Sequence, residues 1–191
     1  IEALKAVWHR GAVDADGKTG DGAGIHVEIP KDFFIEKIQV TGHDYDNSEI
    51  CVGMIFLPRN DYSAQESCKT IVESELTKNN FSIYGWRQVP VNSKVLGEKA
   101  LQTMPEIIQV LFKPNDPNLL DKNLERKIYE IRKRIENKAF DASLNNFYIC
   151  SISSKSIIYK GLYLAEAISD FYLDLKDKRF ISRYAIFHQR F

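Results

Sequence analysis

The chain has 191 residues, the size of one domain, and 44% of them are hydrophobic and 12% aromatic, enough apolar surface for a core. Lysine plus arginine (26) balance aspartate plus glutamate (26), so the neutral total gives no electrostatic ground for nucleic acid or an anionic membrane as partner. No apolar run approaches the roughly 18 residues that a bilayer span needs, and no signal-peptide pattern is visible.

Ile1 to Trp8 carries apolar residues at 1, 4, 7 and 8, the spacing of a helix. His9 to Ile25 then packs five glycines and three aspartates into seventeen residues. Glycine suits backbone with positive φ or a close approach, so the stretch predicts a shaped loop, with a plain glycine-rich hairpin as the simplest form. Three ligand motifs fail on spacing. A phosphate loop needs Lys-Ser/Thr after its last glycine, and none follows Gly24. Gly20-Asp21-Gly22-Ala23-Gly24 is wrongly spaced for a dinucleotide fingerprint and leads into a strand. A calcium loop starting at Asp14 would place Lys18, Thr19 and Ile25 where a carboxylate or amide, glycine and glutamate are required.

Ile25 to Ile29 alternates as a strand, and Pro30 with Phe33, Phe34 and Ile38 predicts a short helix. The continuous apolar run Cys51 to Leu57, closed by Pro58, marks a strand covered on both faces. Ser63 to Leu76 has helical spacing, with Ser63 and Glu66 as a capping box. Phe81–Val89 and Ile107–Phe112 read as strands, and Asn115 to Asn118 as a turn. Leu124, Ile128, Ile131 and Ile135 form an apolar stripe on a helix from about Asp121 to Lys138, whose interleaved charges read as a solvated face. Phe147–Ser151 and Ser156–Lys160 are strands joined by a tight turn at Ser153-Ser154-Lys155. Leu164–Phe171 is a short helix and Arg183–His188 a last strand. Covered strands with helices between them predict α/β layers. Cys51, Cys68 and Cys150 are odd in number and widely spaced, so they read as buried thiols in a reducing, cytosol-like compartment; neither a disulfide framework nor a zinc site fits.

Four ordered blocks carry a family resemblance across essentially the whole chain. Arg10-Gly11-Ala12 with Thr19-Gly20-Asp21-Gly22-Ala23-Gly24 resembles the "HRGA…TGDGAG" segment of the class II glutamine amidotransferase domain that opens the glutamate synthase large subunit. Tyr84-Gly85-Trp86-Arg87-Gln88-Val89-Pro90, followed by Gly97, Ala100 and Pro105, is similar to its "GWRxVP", Ser153 to Gly161 to its "S-[RK]-T-I-[VI]-Y-K-G", and Ala185 to Phe191 to its "A-[IL]-x-H-x-R-[FY]". The resemblance implies an α+β fold, the four-layer αββα sandwich of the N-terminal nucleophile hydrolases, here incomplete. It makes residues 1–191 a partial type 2 amidotransferase domain, lacking the segment with its N-terminal nucleophilic cysteine and its C-terminal part. The implied function is hydrolysis of L-glutamine to glutamate and ammonia for transfer to 2-oxoglutarate.

For the site, the resemblance implies that Arg190 binds the substrate α-carboxylate, for which a guanidinium fork is well shaped. Arg10, Asp21 and Gly22 are implied as pocket-lining residues. Arg10 either orients groups near the nucleophile or lowers its pKa, or else anchors its own loop by hydrogen bonds. No metal ligand and no catalytic residue is expected within the chain, so the segment alone is expected to be inactive. His9 and His188 are read as structural, and Trp86 and Arg87 as pairing within the sheet. FMN and an iron-sulfur cluster are expected in other domains of the polypeptide. Those domains, together with a small electron-supplying subunit, are the expected partners beside glutamine, in the cytoplasm or a plastid. The alternative is a non-catalytic α/β interaction or regulatory module derived from the same fold. Another class II amidotransferase is disfavoured by the "GWRxVP" and "YKG" blocks.

Overall fold

A computed structural model describes Ala6 and residues 12–189. The helix expected over Ile1 to Trp8 therefore lies, apart from Ala6, outside the described residues. The chain forms two compact units.

The unit of Lys31–Gln88 and Pro105–Ile157 holds a four-stranded sheet in the order β3-β4-β2-β5. Its strands are β2 (Cys51–Leu57), β3 (Phe81–Gln88), β4 (Glu106–Pro114) and β5 (Tyr148–Ser153). β2 pairs antiparallel with β4 on one side and β5 on the other, and every residue but the half-buried Phe56 is buried, in keeping with its apolar run. The helices of this unit are α1 (Lys31–Val40), α2 (Tyr62–Lys78) and α4 (Asp121–Asp141). The α4 stripe Leu124, Ile128, Ile131 and Ile135 packs with Cys68, Val72 and Leu76 of α2 against Cys51, Ile55, Val110 and Phe112 of the sheet. Burial of each large side chain contributes about 1.5–3 kcal/mol.

Two expectations need correction here. α1 begins at Lys31, leaving Pro30 just outside it. The cap of α2 is Asp61, whose carboxylate accepts from the Ala64 amide at 2.9 Å. Ser63 lies inside the first turn, its carbonyl accepting from the Ser67 hydroxyl, and Glu66 pairs with Lys69. An aspartate two residues earlier satisfies an orphan amide and adds negative charge at the positive end of the helix dipole, so the serine is not needed.

The tight turn after β5 joins strands of different sheets. β6 (Ser156–Gly161) belongs to the other sheet, so the chain switches sheets at residues 154–155 instead of folding back. Glu125 on α4 secures the switch. Its carboxylate accepts from the Ser153 hydroxyl at 2.8 Å and from the Ser154 amide and hydroxyl at 2.7 Å each, and both serines are buried. Glu125→Ala is expected to cost about 2 kcal/mol, because it strands these donors. Hydrogen exchange at residues 153–156 should then run about thirtyfold faster; unchanged exchange would show that the turn holds without the carboxylate.

The unit of Ile1–Pro30, Val89–Met104 and Ile158–Phe191 carries a three-stranded sheet in the order β6-β1-β7. Its central strand is β1 (Ala23–Glu28), paired antiparallel with β7 (Ala185–Gln189). Ala23, Ile25 and Val27 of β1 are buried, whereas β7 is mostly exposed. Short helices α3 (Glu98–Gln102) and α5 (Ile168–Phe171) belong here. Tyr159, Tyr163, Phe171 and Tyr172 form an edge-to-face and tilted aromatic cluster, with Tyr159–Tyr172 and Phe171–Tyr172 centroids 4.9 and 4.7 Å apart. The Tyr159 hydroxyl donates to buried Asp174 at 3.0 Å and that of Tyr172 to the Lys160 carbonyl at 2.8 Å, so these two phenols are buried with their polar ends satisfied.

Candidate functional site

The glycine-rich stretch is a shaped hairpin. Val13 and Gly20 form an antiparallel bridge, the Asp14 amide donates to the Thr19 carbonyl, and the Gly17 amide closes back on the Asp14 carbonyl, both at 2.9 Å. Asp16 fills the turn. Its Oδ1 accepts from the Lys18 and Thr19 amides at 2.9 and 2.7 Å, and its Oδ2 from the Thr19 hydroxyl at 2.5 Å. The Thr19 hydroxyl, then the Thr19 and Lys18 amides and finally the Glu98 amide hold the Asp16 carboxyl far below the usual carboxylate range. Asp14 accepts from Lys99 Nζ and from the Ala15 amide, each at 2.6 Å, and its carboxyl is likewise lowered, chiefly by Lys99. Two of the three aspartates are thus engaged with backbone and a lysine, which accounts for their clustering without a cation. Among the described residues no group of three His, Cys, Asp or Glu side chains is arranged to hold a metal ion.

Asp21 closes the neck of the hairpin. Its Oδ2 accepts from the Ala12 amide, and its own amide donates to the Ala12 carbonyl, both at 3.2 Å. Gly22 follows at φ +111°, a conformation that side-chain-bearing residues resist. Ala23, the next residue, stands opposite Gln189 in the β1–β7 register. One end of this sheet therefore gathers Ala12, Asp21, Gly22 and Gln189. Arg10 and Arg190, like His9, lie outside the described residues; their sequence neighbours Ala12 and Gln189 flank the Asp21-Gly22 turn on either side.

His188 stands across from Gly24, where a Cβ would overlap its ring and lie 2.9 Å from Lys160 Cβ. Burial, then the Lys160 charge, pushes the imidazole pKa down. This packing fits the structural reading of His188. Arg87 pairs within the sheet as the sequence suggests, whereas the Trp86 side chain reaches from β3 to α2. The indole donates to Glu73 at 2.6 Å, and the guanidinium donates to Gln109 at 2.7 Å while lying over the Phe33 ring at 5.5 Å. Both line a cleft of about 480 Å³ within their own unit, together with Arg59, Tyr62, Gln65 and Lys69.

The family model for class II glutamine amidotransferases matches residues 1–191. The chain belongs to the class II glutamine amidotransferases. It is 54% identical over its full length to the glutamate synthase [NADPH] large chain of Azospirillum brasilense. Over 99–100% of the chain it is 39% identical to the ferredoxin-dependent glutamate synthase 1, chloroplastic/mitochondrial, of Arabidopsis thaliana, and 36% to ferredoxin-dependent glutamate synthase 2 of Synechocystis. The chain spans 12% of the length of each of these relatives. Two β-sheets with accompanying helices agree with the fold of this amidotransferase class and with the α+β expectation.

In an amidotransferase the cysteines invite attention as nucleophiles, and their surroundings argue against it. Cys51, Cys68 and Cys150 are all buried. Burial pushes the Cys51 thiol well up and that of Cys68 up to about 11, the opposite of an activated nucleophile. At pH 8, iodoacetamide is expected to leave Cys51 and Cys68 unmodified in the folded protein and to alkylate both in urea. Because Cys68 keeps its proton to higher pH when folded than its ordinary value of 9, its contribution to stability is full below pH 9 and fades as pH rises toward 11.

Sequence reasoning gave no individual role to Asp16, Gly97 or Lys99. The Asp-x-x-Thr spacing of residues 16–19 is a local signal that could have found the first. Nothing local announces that residues 97–99, some eighty positions away, hold the same hairpin.

Proposed function

We propose that this chain is part of the glutaminase domain of a glutamate synthase, which hydrolyses L-glutamine to glutamate and ammonia and passes the ammonia to 2-oxoglutarate. The observation that supports this reading is that one end of the β6-β1-β7 sheet brings Ala12, the Asp21-Gly22-Ala23 turn and Gln189 together, through the Ala23–Gln189 register and the mutual Ala12–Asp21 hydrogen bonds.

In this reading a thiolate from outside these 191 residues attacks the amide carbon of glutamine, ammonia leaves with a proton, and water hydrolyses the thioester to glutamate. Arg190 holds the substrate α-carboxylate as a bidentate pair and so fixes the amide relative to the sulfur. Arg10 places positive charge beside the thiolate and favours its ionised form. Asp21 works as a scaffold: with its carboxylate on the Ala12 amide, it shapes the pocket wall and is not a proton carrier. Gly22 lets the wall come close to the ligand without a Cβ. Flavin and iron-sulfur chemistry belongs to other domains of the same polypeptide, reduced by a pyridine nucleotide or ferredoxin through a small electron-supplying subunit. The compartment is the cytoplasm, or the plastid in a photosynthetic eukaryote; no helix among the described residues is long and apolar enough to cross a membrane.

Glutamate release from glutamine tests the reading. The full-length protein is expected to release glutamate, and the 191-residue chain alone to give no more than the buffer blank. A full-length protein that releases none would overturn it.

A further inference from the structure

We infer that Asp16 is a positioning residue for glutamine binding, acting through the hairpin that carries Asp21 and Gly22. The inference rests on the glutaminase reading above and adds to it a residue that touches no substrate. Three donors converge on this one carboxylate: the Lys18 amide, the Thr19 amide and the Thr19 hydroxyl. Both oxygens are used. The hairpin is latched to residues 97–99 by close packing: a Cβ on Gly97 would overlap Asp16 Oδ2 and Thr19 Oγ1 and lie 2.6 Å from the Thr19 nitrogen. The Lys99–Asp14 ion pair adds a second, exposed contact between the same two segments.

The latch reaches the site through the hairpin ladder. Thr19 accepts from Asp14, Gly20 bridges Val13, and Asp21 exchanges hydrogen bonds with Ala12. A shift at Thr19 therefore moves both strands of the neck, and with them the turn opposite Gln189. Positioning of this kind is sensitive to displacements of about 1 Å. Asn at position 16 would put an NH₂ where the Thr19 hydroxyl or the amides need an acceptor, breaking one side of the latch while keeping its size.

The test uses the full-length protein and glutaminase kinetics. Asp16→Asn is expected to raise the KM for glutamine about tenfold with kcat changed less than threefold. A merely structural loss would lower the folded fraction, and so the maximal rate, and leave KM alone. Thr19→Val removes the hydroxyl donor and is expected to raise KM about threefold. In the Asp16→Asn background it should add nothing, because both changes open the same latch. Thr19→Val also keeps the inference falsifiable if Asp16→Asn fails to fold. Unchanged KM in these variants, with Arg190→Ala strongly impaired, would overturn the role of Asp16 and leave the glutaminase reading standing. An unimpaired Arg190→Ala would remove its role at the α-carboxylate, and a full-length protein that releases no glutamate would remove the glutaminase reading and the inference with it.

Discussion

Arg190→Ala in the full-length protein should lower kcat/KM for glutamine hydrolysis by about 10²–10³-fold, most of it through KM. Truncating one partner of a desolvated, hydrogen-bonded charge pair costs about 2–5 kcal/mol, and each 1.4 kcal/mol is a factor of ten. The α-carboxylate is remote from the amide being cut, so its grip is nearly the same in ground and transition states; losing it weakens binding more than turnover. Arg190→Lys keeps the charge but not the planar fork, and a loss of about tenfold is expected. Initial rates over a range of glutamine concentrations measure both. A substrate carrying a carboxamide in place of the α-carboxylate sharpens the test, because it should lose affinity in the parent protein and very little in Arg190→Ala. Equal losses in both would sever the link between this guanidinium and the carboxylate. Gln189, the residue before it, already stands opposite Ala23 at the end of the glycine turn.

Gly97→Ala should loosen the hairpin by about 2–3 kcal/mol, the cost of forcing a methyl group into a packed site. The backbone is not the obstacle: φ −75° and ψ 166° are open to any residue. The obstacle is the space already taken by Asp16 Oδ2, Thr19 Oγ1 and the Thr19 nitrogen. The methyl group must displace either the carboxylate or the strand behind it, and each choice breaks hydrogen bonds at Lys18 or Thr19. Hydrogen exchange at those two amides is expected to accelerate about thirty- to a hundredfold. Thr19→Ala removes one of the three obstructing atoms, so Gly97→Ala should cost less in that background. Exchange that does not change would mean the two segments are held apart by more room than the geometry indicates.

Much of this fold can be read from the one-dimensional pattern. Cys51–Leu57 reads as a doubly covered strand and is the inner strand β2. The 124, 128, 131, 135 spacing reads as the buried stripe of α4, and all four side chains are buried. These features are legible because a period of 3.6 or an unbroken apolar run follows from burial itself, whatever the neighbour. The Ser63 cap failed because Asp61, two residues earlier, is an equally good acceptor, and only the actual start of α2 decides between them. The tight turn at 153–155 is legible, but not that it joins different sheets, because a tight turn between two strands does not say whether they pair.

The candidate site divides in the same way. Its residue types and the family they belong to follow from the sequence alone, since the four motif blocks are strings of neighbours. That Asp21 would spend its carboxylate on the Ala12 amide, that Gln189 would stand beside Ala23, and that Gly97 would be a glycine for the sake of Asp16 were decided only in three dimensions. Burial leaves its mark at each position one residue at a time. A hydrogen bond or a close approach between residues 16 and 97 leaves none, because it depends on where the intervening eighty residues bring the chain back.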